Sequence, residues 1–462
     1  MTVARISAAV LVATSVVAVA VARGAGGPPQ VDVSNLPGPQ TNATIAIDPR
    51  NDRILLAGSN SLLEGADRIY SSVDGGRTWT TTLASPRPKS VAASCASDPG
   101  VAVDLAGRQY FSFVRSTPCS ATGAYRVYVD VRAGPRARWS KPKLVAPLGD
   151  ARFDDKPTIT VDASAASPHR NRVYVAWSRL SRRSVFSILL SHSDDGGRTW
   201  SRPVRVNPPD SGDELTYASI GIARTGTVYV AWTDMSNFDV QIARSTDGGA
   251  SFGVAHKVTG FVIVTIPHCG IGIVIPAEPR SCVQANPIVS VDDSTGRYSG
   301  RVYVSYTGTD FIGDEGAALT TFTADLKPIA GFPLANQHHI VVPSRTHSDQ
   351  FWAQSAVDPS DGALWECWYD TAGDATRRKA RYTCAVSRDG GTSWSAPVHA
   401  ATVFSDETQK GAAYEYGYYQ GLAVADGVAH PIWTDTRRLK TLREEIYTTT
   451  LAEADMGTPT RR

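Results

Sequence analysis

The sequence predicts an all-β fold, a β-propeller of four-stranded antiparallel blades, with seven blades favoured and six the alternative. Three recurring pieces carry that prediction. The first is a short alternating strand that ends in or near Asp: TIAIDP (44–49), PGVAVD (99–104), PTITVD (157–162), ASIGIA (218–223), PIVSVD (287–292), AQSAVDP (353–359) and GLAVAD (421–426). The second follows within about a dozen residues, alternates with period two, and ends in an aromatic, as in RVYVAWS (172–178) and TVYVAWTD (227–234). The third is a turn, SSVDGGRTW (71–79), repeated as SHSDDGGRTW (191–200), RSTDGGASF (244–252) and SRDGGTSW (387–394). Strand, turn, strand, loop, strand, tight turn, strand, repeated at a steady interval, is the pattern of sheets arranged around an axis.

Taken in order, residues 1–25 carry one early Arg, an apolar run from Ile6 to Ala22 and an Ala-x-Ala site at 20–22. They read as an export signal, the run being short for a full span; an uncleaved tether is the alternative. Residues 26–40 form a linker in which VDVSN (31–35) can supply a closing strand. A single propeller domain is expected over 41–452, and a flexible tail over 453–462. Trp177, Trp232, Trp368 and Trp433 end second strands, while Trp79, Trp139, Trp200 and Trp394 follow the third-strand turn, placements suited to packing one sheet on the next. Units two and five lack the DGG turn. The seventh runs out after EEIYTTTL (444–451), and TRRLKTLREEI (436–446) reads as a short helical excursion.

A formal charge of +2, from 46 basic and 44 acidic side chains, argues against nucleic acid as a partner. No further segment is long and apolar enough to enter a bilayer stably once the signal is removed. Six cysteines fall into local pairs, Cys95–Cys119, Cys269–Cys282 and Cys367–Cys384, consistent with export. Spacing alone does not choose among the connectivities that six cysteines allow. The last pair also has a strand argument, because LWECWYDT and ARYTCAVS read as neighbours joined by a loop near Asp374 to Thr376. No zinc-like Cys/His spacing, nucleotide-binding glycine loop or nucleophile elbow appears, so no metal or cofactor is expected.

The turn itself is explained by folding. Its Asp accepts backbone N–H groups, its two Gly residues permit positive φ, and its Trp or Phe packs inward. With Asp74, Asp195, Asp247 and Asp389 at the conserved letter of S-x-D-x-G-x-T-W, the chain resembles the Asp-box, or BNR-repeat, propellers of the sialidase superfamily, from about Thr41 to Leu451. That family includes hydrolases and binding proteins alike.

The propeller geometry places the starts of inner strands, and the loops after second strands, on the face opposite the DGG turns. Those positions supply Asp98, Asp155, Lys156, Glu214, Tyr217, Gln284, Asn286, Asp349 and the YEYGYY cluster (414–419), together with Arg115, Arg179, Asp435 and Arg437. Carboxylates, rings and amides on one face suit a sugar. The resemblance implies an arginine clamp for a sugar carboxylate, a Tyr nucleophile assisted by Glu, and an Asp acid/base. Tyr418 or Tyr419 then takes the nucleophile's role, Glu415 or Glu214 its base, and Asp155 or Asp349 the acid. Arg115, Arg179 and Arg437, with Asp435, are candidates for substrate contact. The family's Arg-Ile-Pro motif has no counterpart in TNATIAIDP, so these arginines are chosen by position. Two functions stay open: a secreted, monomeric sialidase-like hydrolase acting on glycans, and a non-catalytic propeller that binds a polysaccharide, a cell-wall polymer or a protein.

Overall fold

The computed structural model describes residues 27–84, 95–120, 123–149, 151–261, 264–266, 270–309, 315–329, 339–341, 347–412 and 416–457. Within them, seven antiparallel sheets follow one another along the chain, each laid down from inner to outer strand. Blade 1 sets the pattern, with strands Gln40–Asp48, Asn51–Ser61, Ala66–Ser72 and Thr80–Leu83. The inner strands of blades 2 to 7 are Cys95–Val103, Ala151–Val161, Leu215–Ile222, Ile288–Val291, Gln350–Val357 and Gly421–Ala425. This is a seven-bladed propeller, and its described helical content is one 3-10 turn at Glu453–Asp455.

The aromatic that ends each second strand fills the space between blades. Trp177, Trp232, Trp368 and Trp433 have no exposed surface. Trp433 stacks on Tyr382 of blade 6 at 5.5 Å, and Trp177 joins Tyr110, Val127 and Val129 of blade 2 in one apolar cluster. Burial of such rings, roughly 2–3 kcal/mol each, holds neighbouring sheets together, with single backbone bonds such as Ala96 N–H to the Gly65 carbonyl at 3.0 Å added where blades meet.

The DGG turns lock themselves. In the first, the Asp74 carboxylate accepts N–H bonds from Arg77 and Thr78 at 3.1 and 3.0 Å and the Thr78 hydroxyl at 2.7 Å. Ser72 Oγ accepts the Gly76 N–H, and Gly75 and Gly76 sit at φ +75° and +82°. Asp195, Asp247 and Asp389 repeat the arrangement. These bonds favour the charged carboxylate: the side-chain bond from Thr78 leads for Asp74, while for Asp195 and Asp247 they outweigh burial, and all three fall to about 2. With its bonding capacity directed into its own turn, each Asp acts as a corner piece.

Blade 7 takes three strands from the end of the chain, Gly421–Ala425, Val428–Asp435 and Glu445–Thr449, and its fourth from the beginning. Gln30–Asp32 runs antiparallel to Glu445–Thr449, with Val31 opposite Thr448. The stretch 436–443 between them forms turns where the sequence reads as helical, because it must reverse direction between two paired strands. The Cys95–Cys119 and Cys367–Cys384 disulfides are present, the second joining directly opposed residues. Cys282 is disulfide-bonded, and Cys269 lies outside the described residues.

The seam between first and last strands has an acid at its centre. Glu445 is fully buried, and its Oε2 accepts Ser34 Oγ at 2.5 Å and Leu36 N at 3.2 Å. Burial first, opposed by Ser34 and reinforced by the hydrogen-bonded Asp32 carboxylate, raises its pKa to about 8. An acid raised in the folded state stabilises fully below its unfolded value, about 4.5, and loses that contribution as pH climbs through 8. Glu445→Gln mimics the protonated form. It should therefore match wild type in denaturant midpoint at pH 4.5 and exceed it at pH 8 by roughly 3 kcal/mol.

Candidate functional site

Five inner strands begin with the same irregularity. Their pairing to the second strand slips between Thr41 and Thr44, Ser97 and Gly100, Asp155 and Thr158, Thr216 and Ser219, and Phe351 and Gln354. Inside each slip one residue has a left-handed backbone: Asn42 at φ +56°, Asp98 at +61°, Lys156 at +48°, Tyr217 at +55° and Trp352 at +53°. A non-glycine residue held there costs on the order of 1 kcal/mol or more, and such bulges turn a side chain away from the sheet's alternation. Asn286 and Gln420 occupy the same place in the repeats of blades 5 and 7, and Tyr419 comes one residue earlier. Each inner strand runs from this bulge towards its Asp end, and the DGG turns lie at that Asp end. The bulge residues thus gather at the opposite mouth of the axial channel.

The channel is a cavity of about 380 Å³ lined by inner-strand residues, with Lys156, Tyr217, Asn286, Gln354, Tyr419 and Gln420 among them. At its mouth the Lys156 ammonium lies 4.5 Å from the Tyr418 ring centre and 5.0 Å from that of Tyr217. Tyr418 packs between Tyr217 and Trp352, at 6.5 and 6.2 Å. Its backbone is pinned on both sides, N–H to Asn42 Oδ1 at 2.8 Å and C=O to Asn286 Nδ2 at 3.1 Å. Tyr217 donates its hydroxyl to Gln284 at 2.5 Å.

Three acids meet here. Asp98 and Asp155 sit close together; burial, opposed by Lys156 and helped by Asp155, raises Asp98 to about 6. Asp67, on the third strand of blade 1, is fully buried, its carboxyl without a hydrogen bond among the described residues, and burial followed by Asp98 pushes it well above the usual carboxylate range. Burial pulls the Lys156 ammonium down, yet Tyr217, Asp98, Asp155 and Tyr418 together outweigh it and keep the group charged. The Tyr419 hydroxyl is buried without a described partner, close enough for Asp98 and Asp67 to hold it protonated alongside burial.

Two neighbours frame the mouth. Tyr125, which follows the Cys95–Cys119 loop, brings its hydroxyl 3.1 Å from Cys95 Sγ, and its carbonyl accepts Asp154 N at 2.9 Å. Between blades 4 and 5 an inserted antiparallel segment, Val264–Ile266, Gly270–Ile275 and Glu278–Val283, forms its own small sheet. It sends Glu278 to Trp352 Nε1 at 3.0 Å and Arg280 to the carbonyls of Glu407 and Ala412. The insertion therefore ties the blade 4–5 junction to the blade 6–7 connection over the mouth.

Of the sequence candidates, Asp155, Tyr418 and Tyr419 converge at this point. The others are placed as follows. Arg179 makes a bidentate pair with the buried Asp154, at 2.6 and 3.0 Å, within blade 3. Arg437 holds Asp435 within blade 7 and reaches Gln30 Oε1 at 2.5 Å. Asp349 is fully buried and held by Arg377, tying the blade 6 loop to its own inner strand. Arg115 lies on the second strand of blade 2, opposite Ala96 and Arg126. Glu214 begins the approach to blade 4 and donates its N–H to Ser236 Oγ. Glu415 lies outside the described residues. The bulge register adds Asn42 and Trp352, which their places before Ala43 and Ala353 in the repeat could have revealed. Asp67 sits on a third strand, where no repeat letter marks it. Among the described residues no group of three or more His, Cys, Asp and Glu is disposed to hold a metal, and no helix is long and apolar enough to cross a membrane.

No protein-family model and no curated protein matches the chain. Among solved structures it is similar to Hadza microbial sialidase Hz136, at 13% identity and a TM-score of 0.47 over 87% of this chain and 74% of that one. It is also similar to a protein of unknown function from Dyadobacter fermentans, at 13% identity and 0.48 over 92% and 99%. A third is Trypanosoma rangeli sialidase, at 14% identity and 0.46 over 80% of this chain, which spans 60% of that enzyme's length.

Proposed function

We propose that the protein is an exported Asp-box propeller that recognises glycans, seating a sugar at the bulge-lined mouth of its axial channel. The observation that carries this reading is the convergence of Lys156, Tyr217 and Tyr419 on a cavity, with Asp98, Asp155 and Tyr418 gathered beside Lys156. Rings cover the apolar faces of a pyranose, and a dense set of donors and acceptors matches its hydroxyls. Residues 1–25 act as the export signal, 41–452 form a single propeller domain, and the chain works as a monomer. The test is a glycan array probed with the purified chain: wild type should bind a subset of glycans and Tyr418→Ala should lose roughly tenfold or more in affinity. Absence of glycan binding by wild type ends the proposal.

A second reading, hydrolysis, is favoured by the Asp98–Asp155 pair. A carboxyl that burial raises to about 6, with a second carboxyl beside it, is poised for proton transfer near neutral pH. Tyr419 stands beside them as the nucleophile this reading needs. Release of chromophore from aryl glycosides, abolished in Asp98→Asn, would support it; no turnover on sialosides or other aryl glycosides would leave binding as the function.

A further inference from the structure

The bonding capacity left over at the mouth narrows the class of sugar. Tyr217, Asn286 and Trp352 already have partners for their polar atoms. The Lys156 ammonium faces the cavity, cupped by two tyrosine rings, and makes no hydrogen bond or ion pair to a described residue. Asp155 is partly exposed at the start of the same strand, close to both Asp98 and the Lys156 ammonium, and the Tyr419 hydroxyl has no partner among the described residues. A ligand entering here meets one strong donor beside one strong acceptor.

From this geometry we propose that the mouth selects an uncharged sugar, with Lys156 donating to one ring hydroxyl and Asp155 accepting from its neighbour, and that it discriminates against sugars bearing a carboxylate. The inference rests on the glycan reading above. Adjacent hydroxyls on a pyranose are each both donor and acceptor, so a cation and an anion side by side are complementary to them.

A carboxylate in the same place would gain an attraction to Lys156 and suffer a repulsion of similar size from Asp155, leaving nothing to offset its own desolvation. The described charged groups at the mouth do not tip that balance. Asp67 is kept neutral by burial, Asp98 is charged only above about 6, and burial raises the Tyr125 and Tyr419 hydroxyls. Glu278 is directed at Trp352. At pH 7.5 the Lys156 ammonium therefore shares the mouth with the Asp98 and Asp155 carboxyls and is not an unopposed positive charge. The arginines that the sequence offers as a clamp are engaged elsewhere in the two cases with described partners, Arg179 by Asp154 and Arg437 by Asp435.

The experiment titrates full-length mature chain at pH 7.5 with matched oligosaccharides that end in a neutral hexose, a hexuronic acid or a sialic acid. Wild type should prefer the neutral terminus, and Lys156→Met should weaken that binding roughly tenfold to hundredfold, the loss of one charged hydrogen bond. Asp155→Asn keeps the shape but removes the repelling charge. It should weaken neutral-sugar binding while improving the acidic-sugar affinity, a crossover that general damage to the fold cannot produce. Circular dichroism of each variant identifies a failure to fold, and the Asp155→Asn crossover then decides the matter without the lysine variant. A wild-type preference for the sialic or uronic acid terminus, or neutral-sugar binding unchanged in Lys156→Met, overturns the selectivity. Wild type that binds none of the oligosaccharides overturns the glycan reading itself.

Discussion

Deleting residues 28–33 is expected to open the ring and lower the unfolding midpoint by about 5 °C. The deleted segment supplies the fourth strand of blade 7, pairing Gln30, Val31 and Asp32 with Thr449, Thr448 and Tyr447. It also buries Val33, whose N–H bonds the Ile446 carbonyl at 2.7 Å. Losing one buried Val costs roughly 2 kcal/mol and each lost ladder bond about 1 kcal/mol net, a total on the order of 5 kcal/mol. Unfolding entropy of about 2.1 cal/mol/K per residue over a chain of this size converts that to the stated shift. The deletion also strips Asp32 from Arg438 and Gln30 from Arg437, so each of these loop arginines loses one of its partners. A second effect follows from the exposed edge. Glu445–Thr449 would keep its pairing to Val428–Asp435 but gain one open edge, a template for pairing between molecules. Differential scanning calorimetry and light scattering on the truncated chain measure both. An unchanged midpoint would mean that ring closure rests on side-chain packing between blades 7 and 1 alone.

That dependence on both ends of the chain was readable from the repeat. The seventh unit lacks an outer strand and VDVSN lies at the other terminus with the right alternation. The blades were legible because each inner strand repeats both its apolar alternation and its terminal Asp, and because the aromatic closing each second strand is a packing letter. The insertion at 264–283 was not legible. IVTIPHCGIGIVIPAEPRSCV (263–283) has the apolar alternation of any blade strand, and nothing in it says that its sheet pairs with no blade. The site was half visible. Asp98-Pro99 and Lys156-Pro157 mark the bulge register in two blades, and Asn42, Tyr217 and Trp352 share it before Ala. What period-two reasoning misses is that one extra residue at that point swings the side chain into the channel mouth. Arginines show the opposite limit: a loop position predicts a face, but whether a guanidinium meets a ligand or a carboxylate depends on the strand beside it.

Arg179 puts that distinction to a test with a large expected effect. Asp154 has no exposed side-chain surface, and its two oxygens receive Arg179 Nε and Nη2 while Oδ1 also accepts Trp177 Nε1 at 2.9 Å. Burial raises its pKa and Arg179 opposes that rise. Arg179→Met keeps most of the stem and removes the charge, leaving a buried carboxylate with only the Trp177 indole and the Val127 backbone as neutral partners. Breaking such a pair from one side costs about 3–5 kcal/mol, because the remaining ion has no compensation. The sign of the pH dependence follows. Without Arg179 the folded-state pKa of Asp154 rises further, so the variant's deficit is largest at neutral pH and shrinks as pH falls and the carboxyl protonates in both states. Asp154→Leu combined with Arg179→Met should recover most of the loss, since an apolar pair of similar volume needs no hydrogen bonds and both partners leave together. Denaturant unfolding at pH 7.5 and pH 4.5, run beside glycan binding, separates the roles. A stability deficit at neutral pH that the double variant repairs assigns Arg179 to holding Asp154 and, through the Tyr125 carbonyl that bonds Asp154 N, to the wall of the mouth. Full stability with lost sugar affinity would return Arg179 to the ligand.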